Sequence, residues 1–201
     1  MKYQESKLAH KYLDGLSGLE IGGSAHNPFG LNTKNVDCSD DMDTVFKKEE
    51  IKICGEVMPV DIVAPGDEIP VPDESYDFVI NSHVLEHFPD PIKALTEWYR
   101  IIRNGGYIFL TIPHKERTFD NHKPRTKLQE LIERHKAGKC PEPQDGHYSV
   151  WITKDIVELI NYLGWEIVEV QNVDDKVGNG FTIIIQKMKL ELECPKKKMI
   201  F

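Results

Sequence analysis

Short continuous apolar runs alternate with helical-period stretches along most of this chain. Asp77-Phe78-Val79-Ile80 has the length of a strand buried on both faces, and it ends in the polar Asn81-Ser82-His83. Leu19 to Ile21, Val36-Asp37, Val60 to Ala64 and Tyr107 to Pro113 are further strand candidates. Between them, Tyr3 to Leu13 reads as a weakly amphipathic helix that Gly15 can end, and 39–56 as a short helix and a loop. Asp90 and Pro91 are an N-cap and a first helical residue, and Ile92, Leu95, Trp98, Tyr99 and Ile102 continue at helical spacing. Asn104-Gly105-Gly106 is expected to end that helix and turn into the next strand. One helix is expected over Thr126 to Lys136. Another, with a threonine N-cap, runs over Thr153 to Leu163 and ends at Gly164. Trp165 to Val173 and Phe181 to Lys187, joined by a turn at Gly178-Asn179-Gly180, can pair as an antiparallel hairpin.

Strands alternating with helices imply an α/β fold: a mostly parallel sheet covered on both faces. In such sheets ligands sit outside the carboxyl ends of the strands, so Asn81, Ser82 and His83 are expected to face the site. Glu20-Ile21-Gly22-Gly23 ends another strand in two glycines, which let a ligand approach the backbone with no Cβ in the way. Asp37, 17 positions after Glu20, can accept hydrogen bonds from ribose hydroxyls. There is no G-x-G-x-x-G, so a pyrophosphate cradle is not expected.

Length and charge narrow the class. A chain of 201 residues is most simply one domain, and a net charge of −8 argues against nucleic acid or a membrane surface as partner. The start is polar, and no apolar run approaches the roughly 20 residues that span a bilayer, so a cytoplasmic location is expected. Cys38, Cys54, Cys140 and Cys194 have neither zinc-knuckle nor disulfide-framework spacing and read as reduced thiols. The lysines at 196–198 read as a solvated tail within 191–201.

Over Leu16 to Lys187 the chain resembles the class I S-adenosylmethionine (SAM)-dependent methyltransferases. The resemblance rests on Glu20-Ile21-Gly22-Gly23, on Asp37, on Asp77 to Phe88 with its Ser-His-Val-Leu-Glu-His, and on Arg103-Asn104-Gly105-Gly106, in that order. It implies a Rossmann-like, seven-stranded, mostly parallel sheet with an antiparallel final strand and helices on both faces. It implies SAM as cofactor, with Glu20, Gly22, Gly23, Asp37 and Ser82 around it, and Asp67 as the nearest acid for the adenine end. The chain departs from the family between Gly23 and Val36. That connection has 12 intervening residues including Pro28 and Gly30, so the first crossover helix is expected to be missing or reduced to a turn.

Methyl transfer to a hydroxyl or ammonium needs a base, and His83, His114 and His147 are the candidates near the carboxyl edge. Residues 114–150 read as a substrate-binding insertion or lid. From His114 to Lys139 the segment holds eight Lys/Arg and four Asp/Glu, a local +4. Arg117 and Arg125 are therefore expected to bind a small anionic acceptor, a glycan precursor or secondary metabolite, methylated on O or N. Two other readings stay open: a zinc hydrolase using His83-Glu86-His87 as an H-x-x-E-H motif, and a partner-binding subunit that holds SAM poorly. For Glu86 and His87 the favoured reading is that they brace the loop and the following helix, with no metal.

Overall fold

The computed structural model describes residues 2–140, 143 and 146–188. The basic tail and Cys194 lie outside the described residues. Seven strands form one sheet: β1 (Gly18–Ile21), β2 (Thr33–Asp37), β3 (Ile62–Val63), β4 (Tyr76–Ser82), β5 (Ile102–Pro113), β6 (Glu166–Gln171) and β7 (Gly180–Gln186), in the order β3-β2-β1-β4-β5-β7-β6. The pairs from β3 through β5 are parallel, and β7 runs antiparallel to both β5 and β6. This is the expected Rossmann-like sheet with an inverted final strand.

The apolar runs are continuous because both faces are covered. In β4, β5 and β7, alternate residues point to opposite sides. Val79, Ile108, Leu110, Ile183 and Ile185 join the larger core, and Phe78, Ile80, Phe109 and Ile184 join the smaller one. Three helices build the larger core: α3 (Pro91–Ile101), α4 (Leu128–Ala137) and α5 (Thr153–Leu163), through Leu95, Trp98, Leu131, Ile156 and Leu159. The 22–32 connection holds no helix, as its length and Pro28 predict. Its place against the smaller core is taken by α1 (Lys7–Leu13), through Ala9 and Leu13, together with Phe29 of the connection.

Four local expectations change. β3 is two residues, because Val60 and Asp61 lie outside the ladder and Asp61 is used as an acceptor for the Asn35 amide. Helix α2 is confined to Val45–Cys54, ended by Gly55 in the left-handed region. Asn104-Gly105-Gly106 lies inside β5 rather than in a turn before it, since α3 passes directly into the strand at Ile102. The N-cap of α5 is Ile152, not Thr153. Asp155 accepts the Ile152 amide at 3.0 Å, which leaves the Thr153 hydroxyl to bond Asn172 at 2.5 Å.

Candidate active site

The strand order reverses direction between β1 and β4, the place where open α/β sheets bind ligands. Register sets the cast: Ile21 pairs with Val36 on one side and Asn81 on the other. The residues that follow, Gly22-Gly23, Asp37 and Ser82-His83, therefore emerge side by side.

Glycine is required at the β1 exit for two reasons. Gly22 sits at φ +64°, in the left-handed region. A Cβ at Gly23 would lie 2.6 Å from Met58 Sδ and 2.8 Å from Asn35 Oδ1. Beside them Glu20 is buried and accepts from the Thr33 hydroxyl at 3.2 Å. Burial pushes its carboxyl up to about 7, against the opposing pull of Thr33 and Lys176. The Asp37 carboxylate lies 3.9 Å from the Lys47 ammonium, itself buried and 3.5 Å from Glu50. Glu50 accepts from the amides of Ala25 and Met58, so one buried carboxylate ties the glycine connection to the loop after α2. These groups border a cavity of about 490 Å³, within the roughly 300–1,000 Å³ usual for small-molecule sites.

After β4 the chain turns sharply. His83 adopts φ +57°, and Leu85–His87 is a single 3₁₀ turn. Because His83 and His87 are not on a continuous helix, they do not share a helix face as an H-x-x-E-H zinc protease requires. His83 Nε2 is buried without a hydrogen-bond partner among the described residues, and burial lowers its pKa to about 4, which keeps the ring neutral. Glu86 is 1% exposed, its carboxyl pushed up to about 8 by burial. A second cavity opens on the far side of this corner, bordered by His83, Glu86, His87, Arg117, Phe119 and His147. His83 and His87 border both cavities.

The predicted site residues divide. Glu20, Gly22, Gly23, Asp37, Ser82 and His83 converge on the first cavity, and Arg117 and His147 on the second. Asn81 is wholly buried and borders neither. Three others also lie apart. Asp67 is 3.0 Å from Lys93. His114 is 7% exposed, with Nδ1 accepting the Glu116 amide and its ring edge-on to Phe181. Arg125 forms a two-pronged pair with buried Asp155, at 2.9 and 2.5 Å. Arg117 donates to the carbonyls of Asn172 and Gly180, which fix it in the wall of the second cavity. Lys47, Glu50 and Phe46 of α2 were not singled out by sequence. Spacing alone could not have found them, because α2 also carries the exposed i,i+3 pair Lys52–Glu49, and nothing in the sequence separates it from the buried Lys47–Glu50 pair.

Residues 19–110 match the family described as Methyltransferase domain. An uncharacterized protein of Methanocaldococcus jannaschii is 28% identical over 177 residues, covering 81% of this chain and 76% of that one. A Mycolicibacterium smegmatis protein named "Probable S-adenosylmethionine-dependent methyltransferase" is 38% identical over 48 residues, 24% of this chain and 19% of its own length. The fold is shared with a SAM-dependent methyltransferase structure from Methanosarcina mazei, with a TM-score of 0.55, 17% identity and coverage of 91% of this chain and 98% of that one. The family match over 19–110 and the shared fold identify a methyltransferase domain in this chain, and SAM is the cofactor that such a domain takes.

The first cavity fits that cofactor. The Gly22-Gly23 floor admits a close ligand, Glu20 and Asp37 offer carboxylates for an ammonium and for ribose hydroxyls, and the Phe46 ring, 76% exposed, borders the cavity as an apolar surface.

Proposed function

We propose that this protein moves a methyl group from SAM to an oxygen or nitrogen of a small, anionic acceptor, a glycan precursor or a secondary metabolite, held in the second cavity. The observation that carries this reading is the shared wall: His83 and His87 border both cavities, so a donor in one and an acceptor in the other would meet there. SAM supplies the activated methyl group, and the protein's task is alignment, exclusion of water and reception of the acceptor's proton. His83 is placed for the last task by its unpartnered Nε2 at that wall, and the burial that keeps its ring neutral makes it a weaker base than a free imidazole. Arg117, positioned by backbone carbonyls, supplies the fixed positive charge for an anionic group. Arg125 has no part in this version, because Asp155 already neutralises it. Segment 114–150 acts as the acceptor-side wall through Arg117, Phe119 and His147.

Turnover of methyl-labelled SAM across a panel of phosphorylated, carboxylated and neutral acceptors tests the reading. Expected is transfer to an anionic acceptor, with Arg117→Ala raising the acceptor KM about tenfold or more and leaving the SAM Kd within about twofold. Absence of SAM binding by calorimetry would sink it. An equal loss of affinity for SAM and acceptor in Arg117→Ala would move Arg117 out of the acceptor site.

A further inference from the structure

We propose that residues 2–5 form a strap over the rim of the first cavity and that Tyr3 covers the cofactor bound there, so that SAM leaves when the strap lifts. The inference rests on SAM occupying that cavity. These residues precede the stretch that matches the family, which begins at residue 19, so the strap is an addition to the matched domain.

The helix expected from Tyr3 begins only at Lys7, because the Ser6 hydroxyl accepts the Ala9 amide at 3.0 Å and caps it. Residues 2–5 therefore run outside the helix, and three separate walls hold them. The Tyr3 amide donates to the His26 carbonyl at 2.8 Å, in the glycine connection. Gln4 Nε2 donates to the Asp175 carbonyl at 3.0 Å, and the buried Lys176 ammonium reaches the Gln4 carbonyl at 3.5 Å, both in the loop between β6 and β7. Lys2 Nζ lies 2.5 Å from Glu56, in the loop after α2. Gly30 of the connection leaves room for Glu5, since a Cβ there would fall 2.5 Å from the Glu5 Cδ. His26, Val177 and Lys47 show that the glycine connection, the β6–β7 loop and α2 all border the cavity, and Tyr3 borders it with them.

The same contacts make this a cover that opens. Its fixed end is Ser6, 1% exposed and donating to the Asp175 carboxylate at 2.6 Å. Beyond Ser6 all four residues are exposed, and the tethers are single hydrogen bonds and an exposed ion pair, which water replaces at little cost. The Tyr3 ring is 45% exposed at the cavity rim, 6.3 Å from the His26 ring between centroids. A tyrosine at such a rim offers apolar area to a ligand while its hydroxyl stays in water. Its face also attracts a cation, and SAM carries a sulfonium and an ammonium.

The test follows labelled SAM bound to the full chain as unlabelled SAM displaces it. Expected is dissociation about tenfold or more faster in Tyr3→Ala, and within about twofold of native in Tyr3→Phe, which keeps the ring. Amide hydrogen exchange of the native chain reads the strap directly: SAM should slow exchange over Tyr3 to Glu5 by about tenfold or more. A folded Tyr3→Ala that releases SAM at the native rate would overturn the proposal. So would Tyr3→Phe releasing it as fast as Tyr3→Ala, or exchange in the strap that SAM leaves unchanged. A native chain that binds no SAM overturns the strap and the methyltransferase reading together, whereas tight binding with unaltered release overturns the strap alone.

Discussion

Glu20 is a carboxyl whose proton is held by burial against the opposing pull of Thr33 and Lys176. Its pKa rises from the ordinary 4.5 to about 7. Between these values the folded chain holds a proton that the unfolded chain has lost, so stability falls as pH rises through that window and levels off above it. The full effect is on the order of 3 kcal/mol. Urea midpoints of the native chain and Glu20→Gln, taken from pH 4.5 to 8, should diverge in this sense, with the variant relatively more stable at pH 8. A flat difference would show that Glu20 is ionised throughout. A bound cation should draw the proton off, so calorimetry of SAM near pH 6 in buffers of different ionisation enthalpy should report proton release. At this scale the sequence was legible where a residue's location follows from its place at a strand end: Glu20, Gly22, Asp37 and Ser82 all border the first cavity. It was not legible where the job depends on a distant charge. Asp67 is held by Lys93 and Arg125 by Asp155, 26 and 30 positions away, and no local spacing announces either pair.

Elements were readable from periodicity, and their seams were not. The α3–β5 junction shows why. Three polar or glycine residues after an amphipathic helix look like a turn, yet Asn104 to Gly106 are in strand, and Arg103 lies 2.5 Å from Asp77 across the sheet edge. Gly106 is there for proximity: a Cβ would stand 2.5 Å from the Asp77 carbonyl oxygen and 2.9 Å from that of Arg103. Both obstacles are backbone, so relief requires parting β4 from β5. Gly106→Ala should lower stability by about 1–3 kcal/mol, read as a shift in urea midpoint at constant slope. Gly138→Ala makes the contrast. It has open space around it but φ +61°, so its smaller cost would be conformational only, about 1 kcal/mol.

On the scale of the whole molecule, the place of the absent first crossover helix is taken by α1, and that substitution reaches the first cavity. Helix α1 lies over Phe78, Ile80, Phe109 and Ile184, where Ala9, Leu13 and Phe29 close the smaller core. Its start is held by Asp175, which accepts from the Ser6 hydroxyl at 2.6 Å and the Leu8 amide at 2.9 Å. Asp175 belongs to the β6–β7 loop, whose Val177 and Asn179 border the first cavity. The neighbouring Lys176 is buried, donates to the Pro28 carbonyl and lies 4.2 Å over the Phe29 ring, binding the same loop to the glycine connection. One loop thus joins the chain's first helix, the helix-free connection and the site, although 167 positions separate Asp175 from Leu8. The absence of a crossover helix was readable from Pro28 and the short spacing. The substitute was not, because its anchor is a single aspartate in a turn. Asp175→Ala should therefore do two things at once. Removing two acceptor bonds at a helix start should lower stability by about 1–3 kcal/mol. It should also weaken SAM binding, measured by calorimetry at a temperature where the variant is still folded. Stability lost with SAM affinity intact would show that α1 only covers the sheet, and that the loop keeps its place at the cavity without it.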